Sequence, residues 1–389
     1  MGTDSTKYNN EKNMSVNIEL NKTCYFPGET ITGTITLYPF IQSFEKIMDN
    51  PSFNISINQF QHYSYSTGSG KKRHTVVRNE EKNLITTTIN FQDKIKADYS
   101  SGFAVPFSVQ VPENAYPSVS AINAYVKHLF IVELPHTETK RTVVFIIKGI
   151  FPNNLDGNLL IQNVEEAKEF KKANFLVKKG SCLLALRCPK NYFFYDEKIP
   201  FQLSLDCTKL EMNIKSIGVI LERRVHKNLY SDHSKPIRTS CDIIEKKIFN
   251  LEKNLSRYDI SDCLTFPTTS LDGNWVYPPN VYQQLDEKGV FEINSNFSYR
   301  LYPCCIMGLV SVKYFIKVEL YFDCTFTFDE ELAIPLYFGP NFENNPEMKN
   351  QGYYNSIPGV CSQCTFLDNN TIGSTLYDSA NTTNTLIPQ

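Results

Sequence analysis

Apolar and polar residues alternate along most of this chain. Val16, Ile18 and Leu20 make a first run, and Ile31, Gly33, Ile35 and Leu37 a second. Phe53/Ile55/Ile57, Ile85/Thr87/Ile89/Phe91 and Phe107/Val109/Val111 continue the pattern. A period of two sends every second side chain to the same face, which is the pattern of a strand with one side in a core and the other in water. The longest run is Val310, Val312, Tyr314, Ile316, Val318, Leu320 and Phe322, seven inward positions in a single strand and enough to cross a whole sandwich. Pro106, Pro112 and Pro200 are read as strand ends, where a missing amide does least harm to a ladder. Helical periodicity is nearly absent, so the pattern predicts an all-β fold.

One segment departs from the alternation. Residues 163–172 are charged, contain Ala, and lack Gly and Pro, so they are expected to form two turns of helix or a solvated, irregular linker between two halves. An internal repeat supports that division. Glu29, Ile31, Gly33, Ile35 and Leu37 reappear as Glu197, Ile199, Phe201, Leu203 and Leu205, an offset of 197 − 29 = 168. Val126, His128, Phe130 and Val132 reappear as Val312, Tyr314, Ile316 and Val318, an offset of 314 − 128 = 186. The same two anchors recur in the same order. The expected organisation is an extension over 1–13, a sandwich over 14–150, a linker over 151–174, a second sandwich over 175–340 and a disordered tail over 341–389. Ser66 to Asn83 reads as a long hairpin loop.

The 389 residues are enough for two domains that each bury a core without covalent help. Lys and Arg (39) nearly balance Asp and Glu (41), which argues against a dedicated nucleic-acid binder. Met1 to Asn13 lacks the apolar stretch of a signal peptide, and no window of 18 apolar residues is present, so the expected compartment is the cytosol. Eleven irregularly spaced Cys then read as reduced thiols.

The segment from Tyr25 to Gly33, Y-F-P-G-E-T-I-T-G, resembles the Y-x-P-G-E-x-ϕ-x-G signature (ϕ apolar) that opens the amino-terminal sandwich of arrestin-domain proteins. Phe103 to Pro112 is similar to the family's F-x-F-x-ϕ-P segment. Tyr116-Pro117-Ser118 and Val126 to Leu134 resemble its P-S turn and the strand after it, with His128 where the family usually has Tyr. In the second half, Tyr192 to Leu205, Ser216 to Arg224 and Val310 to Leu320 resemble strands of the family's other domain, although Tyr195-Asp196-Glu197 lacks the Pro-Gly. The resemblance runs from about residue 14 to 340 and is closest in type to arrestin-domain-containing, alpha-arrestin-like proteins.

That resemblance implies two tandem immunoglobulin-like β-sandwiches and a non-enzymatic cytosolic adaptor. Such an adaptor binds the cytosolic tails of receptors or transporters and couples them to endocytic sorting, protein transport or ubiquitination, with recruitment to the plasma membrane or endosomes. The alternative is a retromer-like structural coat subunit of an endosomal complex. Tyr25, Pro27, Gly28, Glu29 and Gly33 are assigned to the turn and not to chemistry. Some arrestins sense receptor phosphates through a buried Asp–Arg pair; here Thr32 precedes Gly33, and the pair is not placed. Ubiquitin-ligase adaptors of the family carry P-P-x-Y, whereas Pro278-Pro279 is followed by Asn280-Val281-Tyr282, one residue too long.

Candidate chemistry is sparse. No G-x-S-x-G, P-loop or G-x-G-x-x-G is present, and His62, His74, His128, His136, His226 and His233 form no cluster in sequence. His128, at an inward strand position, reads as a core histidine. Cys361 and Cys364 have the spacing of half a zinc site without the other half. No cofactor or metal is therefore expected. Lys71, Lys72 and Arg73 are the candidate contact for anionic lipid or phosphate, weighed against a solvated loop. Arg223-Arg224 is a weaker pair of the same kind.

Overall fold

The computed structural model describes residues 15–22, 24–38, 49, 51–94, 102–121, 123–135, 139–149, 160–174, 177–194, 197–211, 213–228, 236–252, 255–265, 304–306, 308–322 and 331–339. The predictions for the amino-terminal extension, the tail with Cys361 and Cys364, Pro278-Pro279, His136, His233 and Tyr195-Asp196 lie outside them.

Among the described residues, nine strands make the first half: Ser15–Leu20 (β1), Cys24–Tyr25 (β2), Thr30–Tyr38 (β3), Ser52–Thr67 (β4), His74–Asn90 (β5), Phe103–Gln110 (β6), Val119–Ala121 (β7), Ala124–Leu134 (β8) and Thr139–Ile147 (β9). They form two sheets, one ordered β1-β3-β6 and one ordered β2-β9-β8-β4-β5, with β7 paired to β8. The alternating rows face each other: Ile31, Ile35 and Leu37 of β3 share one buried cluster with Phe53, Ile55 and Ile57 of β4 and with Phe130 and Val132 of β8.

Within the β3 row, Gly33 stands opposite Phe107 of β6 and Leu20 of β1. A Cβ at Gly33 would come within 2.1 Å of the Glu19 carbonyl oxygen and 2.9 Å of the Phe107 ring. Glycine is therefore required here by close approach.

The second half comprises Gln162–Asn174 (β10), Val177–Lys190 (β11), Tyr192–Phe194 (β12), Lys198–Leu210 (β13), Ile214–Asn228 (β14), Pro236–Asn250 (β15), Arg257–Thr265 (β16), Val310–Phe322 (β17) and Leu332–Gly339 (β18). Its sheets run β10-β11-β13-β16 and β12-β18-β17-β14-β15. All seven inward residues of β17 are buried, and each contributes about 1.5–3 kcal/mol relative to exposure.

Strand by strand, β12-β18-β17-β14-β15 repeats β2-β9-β8-β4-β5. In both sheets the short first strand is the one that pairs parallel, β2 with β9 and β12 with β18. The smaller sheets match as β1-β3-β6 and β11-β13-β16, with β10 added along the outer edge of β11.

Three local expectations are corrected. Residues 163–172 form neither a helix nor an irregular linker. They belong to β10, paired antiparallel with β11 so that Val164 meets Cys188 and Phe170 meets Cys182. Phe170 is buried, while Glu166 and Lys168 occupy the positions between the two apolar residues and hide the period of two.

The supposed loop from Ser66 to Asn83 is mostly strand. Pairing continues to Thr67–His74, leaving 68–73 as the connection. Polar cross-strand pairs hold the ribbon where apolar ones are lacking, including Asn83 Nδ2 to Asn58 Oδ1 at 2.8 Å and His62 Nδ1 with Asn79 Oδ1 at 2.7 Å. Pro106 lies mid-strand rather than at an end, but in β6, which among the described residues pairs only with β3. Pro200 is the third residue of β13.

Candidate functional site

The segment Tyr25 to Glu29 carries the chain from one sheet of the first sandwich to the other. Tyr25 is buried in β2, its ring edge-on to Phe145 at 5.9 Å, and its hydroxyl accepts the Lys22 amide at 3.1 Å. Burial raises its phenol above the usual tyrosine range. Gly28 has φ 78, a left-handed value that glycine adopts without strain. Its amide donates to Val111 O at 2.9 Å.

Glu29 then closes the turn on itself. Its Oε2 accepts the Phe26 amide at 2.8 Å, its amide donates to Phe26 O at 3.0 Å, and its Oε1 pairs with Lys22 Nζ at 2.9 Å. The carboxylate thus satisfies an amide that the tight reversal leaves without a ladder partner.

The second half repeats this arrangement without Pro-Gly. Glu197 Oε2 accepts the Phe194 amide at 3.1 Å, the Glu197 amide returns to Phe194 O at 3.0 Å, and Lys190 Nζ pairs with Glu197 Oε1 at 2.6 Å. These residues stand 168 positions after Phe26, Glu29 and Lys22 (194 − 26, 197 − 29, 190 − 22). Both turns place their polar groups in backbone support.

His128 sits on β8 at zero exposure. Gln59 Oε1 accepts the Tyr116 amide at 3.2 Å and lies 3.4 Å from His128 Nε2. A carbonyl oxygen only accepts, so Nε2 carries the proton. His128 Nδ1 is then the acceptor for the Ser118 hydroxyl at 3.0 Å, and Ser118 Oγ in turn accepts the Ile147 amide at 3.0 Å. Burial pushes the imidazole pKa down to about 3, which keeps the ring neutral. The Ser–His contact is sealed inside the sandwich with Ser118 also buried, and its bonds tie β4, β8 and β9 together. In the sequence Ser118 figures only in the P-S turn, and Gln59 belongs to no motif. The legible signal was Gln59 and Gln61 continuing the inward row Phe53, Ile55, Ile57.

Lys71 and Lys72 lie in the 3-10 turn Gly70–Lys72, with Arg73 next, at the tip of the β4–β5 hairpin. All three are exposed. Among the described residues, strand β5 ends its sheet and pairs with β4 alone. By contrast, Arg223 pairs with Asp242 at 3.1 Å, and Arg224 pairs with Glu222 and Glu331. That second basic pair is internally neutralised.

Cys182, Cys188, Cys207, Cys241, Cys263 and Cys304 are free thiols. Burial pushes Cys182, Cys188 and Cys304 up to about 12, so they rest protonated. Among the described residues no group of three or more His, Cys, Asp or Glu side chains is arranged to hold a metal ion. Among them, too, no helix is long and apolar enough to cross a membrane.

The family model described as arrestin (or S-antigen), C-terminal domain, matches residues 10–143. A model of the family's second domain thus falls on the first sandwich of this chain, the one that contains the Tyr25–Gly33 turn. No curated protein matches the chain.

Proposed function

Because a model of the arrestin family matches the first sandwich, we propose that the chain is a non-enzymatic cytosolic adaptor for the cytosolic parts of membrane proteins. In this reading it couples receptors or transporters to endocytic sorting, protein transport or ubiquitination. Members of the family are non-enzymatic adaptors in trafficking, and the alpha-arrestin-like type is the one this chain's opening turn resembles.

The observation that carries the reading is that the family match coincides with the sandwich bearing an exposed basic hairpin tip on an edge strand. An edge strand accepts an extended tail by β-augmentation, through main-chain hydrogen bonds that demand little of the tail's sequence. Lys71, Lys72 and Arg73 add attraction to phosphate or to an anionic leaflet, about 1 kcal/mol for each cation near the surface. Tyr25, Pro27, Gly28, Glu29 and Gly33 serve this function only by holding the sandwich that presents the hairpin.

Affinity capture of the full chain from cells, with the stoichiometry of each captured protein, tests the proposal. Membrane proteins recovered in substoichiometric amounts that change with stimulus support an adaptor. A fixed-ratio assembly of soluble subunits would instead identify a retromer-like coat component.

A further inference from the structure

The β4–β5 hairpin starts in one sandwich and ends against the other. The inward row of β4 passes from Ile57 through Gln59 and Gln61 to Tyr63. Ile57 is in the core of the first half, whereas Tyr63 is buried in the cluster that fills the second. Gln61 stands at the changeover, 1% exposed.

Its Oε1 accepts the amide of Leu309, 248 residues further along the chain, at 2.8 Å. The preceding residue, Gly308, has φ 104, and a Cβ there would stand 2.4 Å from Gln61 Oε1. Backbone conformation and close approach both call for glycine. Gln61 Nε2 is buried without a hydrogen-bond partner, so the side chain is held by this one acceptor bond and by the fit against Gly308.

The second half grips the same turn from behind. Asn228, the last residue of β14, donates through Nδ2 to Gly308 O at 2.8 Å and to Ser311 Oγ at 3.2 Å, and through its amide to Leu309 O at 2.8 Å. Two further contacts reach the hairpin beyond Gln61. Lys227 Nζ donates to Ser64 O at 2.7 Å, and Arg238 donates to Ser66 O at 3.2 Å. The bonds from Leu309, Lys227 and Arg238 converge on residues 61–66 of β4, and Asn228 holds the Gly308–Leu309 turn in place behind them.

We propose that Gln61 and the Gly308–Leu309 turn, backed by Asn228, form a polar clamp between the sandwiches. The clamp makes the distal half of the β4–β5 hairpin part of the second sandwich, so that the two halves unfold as one unit. It also fixes the bearing of the Lys71–Arg73 tip relative to β14 and β15. Gln61 is a positioning residue in this scheme, and its role does not depend on what the tip binds.

Denaturant unfolding and amide hydrogen exchange on the full chain test the clamp, using Gln61→Ala, Gly308→Ala and the double variant. The unaltered chain should unfold in one transition. Each single variant should lower the midpoint and speed exchange at Leu309 and at residues 61–66 by about tenfold more than at the centres of β8 and β17. The double variant should lose less than the sum, because an added methyl at 308 no longer meets an oxygen at 61. Strict additivity, or hairpin exchange that follows the two cores, would overturn the proposal. Should the Gly308→Ala chains fail to fold, Asn228→Ala reads the same exchange sites, and unchanged protection there would also overturn it.

Discussion

Glu197 accepts the amide hydrogen of Phe194 at 3.1 Å and donates its own amide back to the Phe194 carbonyl at 3.0 Å. The same reciprocal pair joins Phe26 and Glu29 in the first half. At each site the chain is crossing between the two sheets of a sandwich, so the glutamate supports an amide at the place where the ladder is interrupted. Pro27 and Gly28 make the first reversal easy to form; the carboxylate is the element that both reversals share.

Removing either carboxylate should therefore destabilise the chain more than removing a surface charge. Glu29→Ala is expected to cost about 1.5–3 kcal/mol, the range for a hydrogen bond to a charged group. Glu197→Ala should cost less, because the Glu197 side chain is 31% exposed against 12% for Glu29. Urea midpoints of the two variants check the order.

Gly33→Ala should be the more damaging change at the opening motif. The new methyl has to displace the Glu19 carbonyl or the Phe107 ring, which separates β1 from β3 or opens the core. A loss of about 2–4 kcal/mol is expected from overpacking against backbone. Calorimetry of the variant gives the value directly.

The sequence exposed the parts of this fold whose physics is local. Strands β3, β6 and β17 have apolar residues at nearly every second position, and the period of two survives any context. The Phe26–Glu29 and Phe194–Glu197 turns were found through the repeat of Glu and its following apolar row, even though only one contains Pro-Gly.

What escaped was set by partners distant in sequence. From 162 to 170, strand β10 has Val164 and Phe170 as the apolar residues of its core-facing row, and it is a strand because β11 offers an edge. Ser66 to Asn83, the distal part of the β4–β5 ribbon, reads as a loop because most of its residues are polar and show no apolar alternation. The roles of Ser118 and Gln59 depend on where Ile147 and Tyr116 arrive, which no local pattern encodes.

Strand β10 makes a prediction of its own. Amides of β10 that bond to β11 should exchange slowly, and Phe170→Ala should cost about 3–5 kcal/mol as a buried aromatic truncation. A solvated linker would show fast exchange throughout 163–172 and no loss of stability.

Acid sensitivity should trace to His128. Its folded pKa lies near 3, below the ordinary 6.5. Between those values the unfolded chain binds a proton that the folded chain does not. Stability is therefore intact above about pH 6.5 and falls as pH drops toward 3, by up to ~1.4 kcal/mol per pH unit. His226, pushed down to about 4 chiefly by burial, acts in the same direction over a narrower window. A His128→Leu variant should be less stable at pH 7.5, and its deficit should shrink as the pH is lowered to 5. A deficit independent of pH would mean that His128 does not titrate on unfolding.

Proximity labelling in living cells tests the adaptor role most directly. The full chain and a Lys71→Glu/Lys72→Glu/Arg73→Glu variant, matched in stability and expression, would each carry the labelling enzyme. Labelling of the cytosolic segments of receptors or transporters by the unaltered chain, reduced in the variant, is the predicted result. A constant set of soluble coat subunits, labelled equally by both chains, would contradict it.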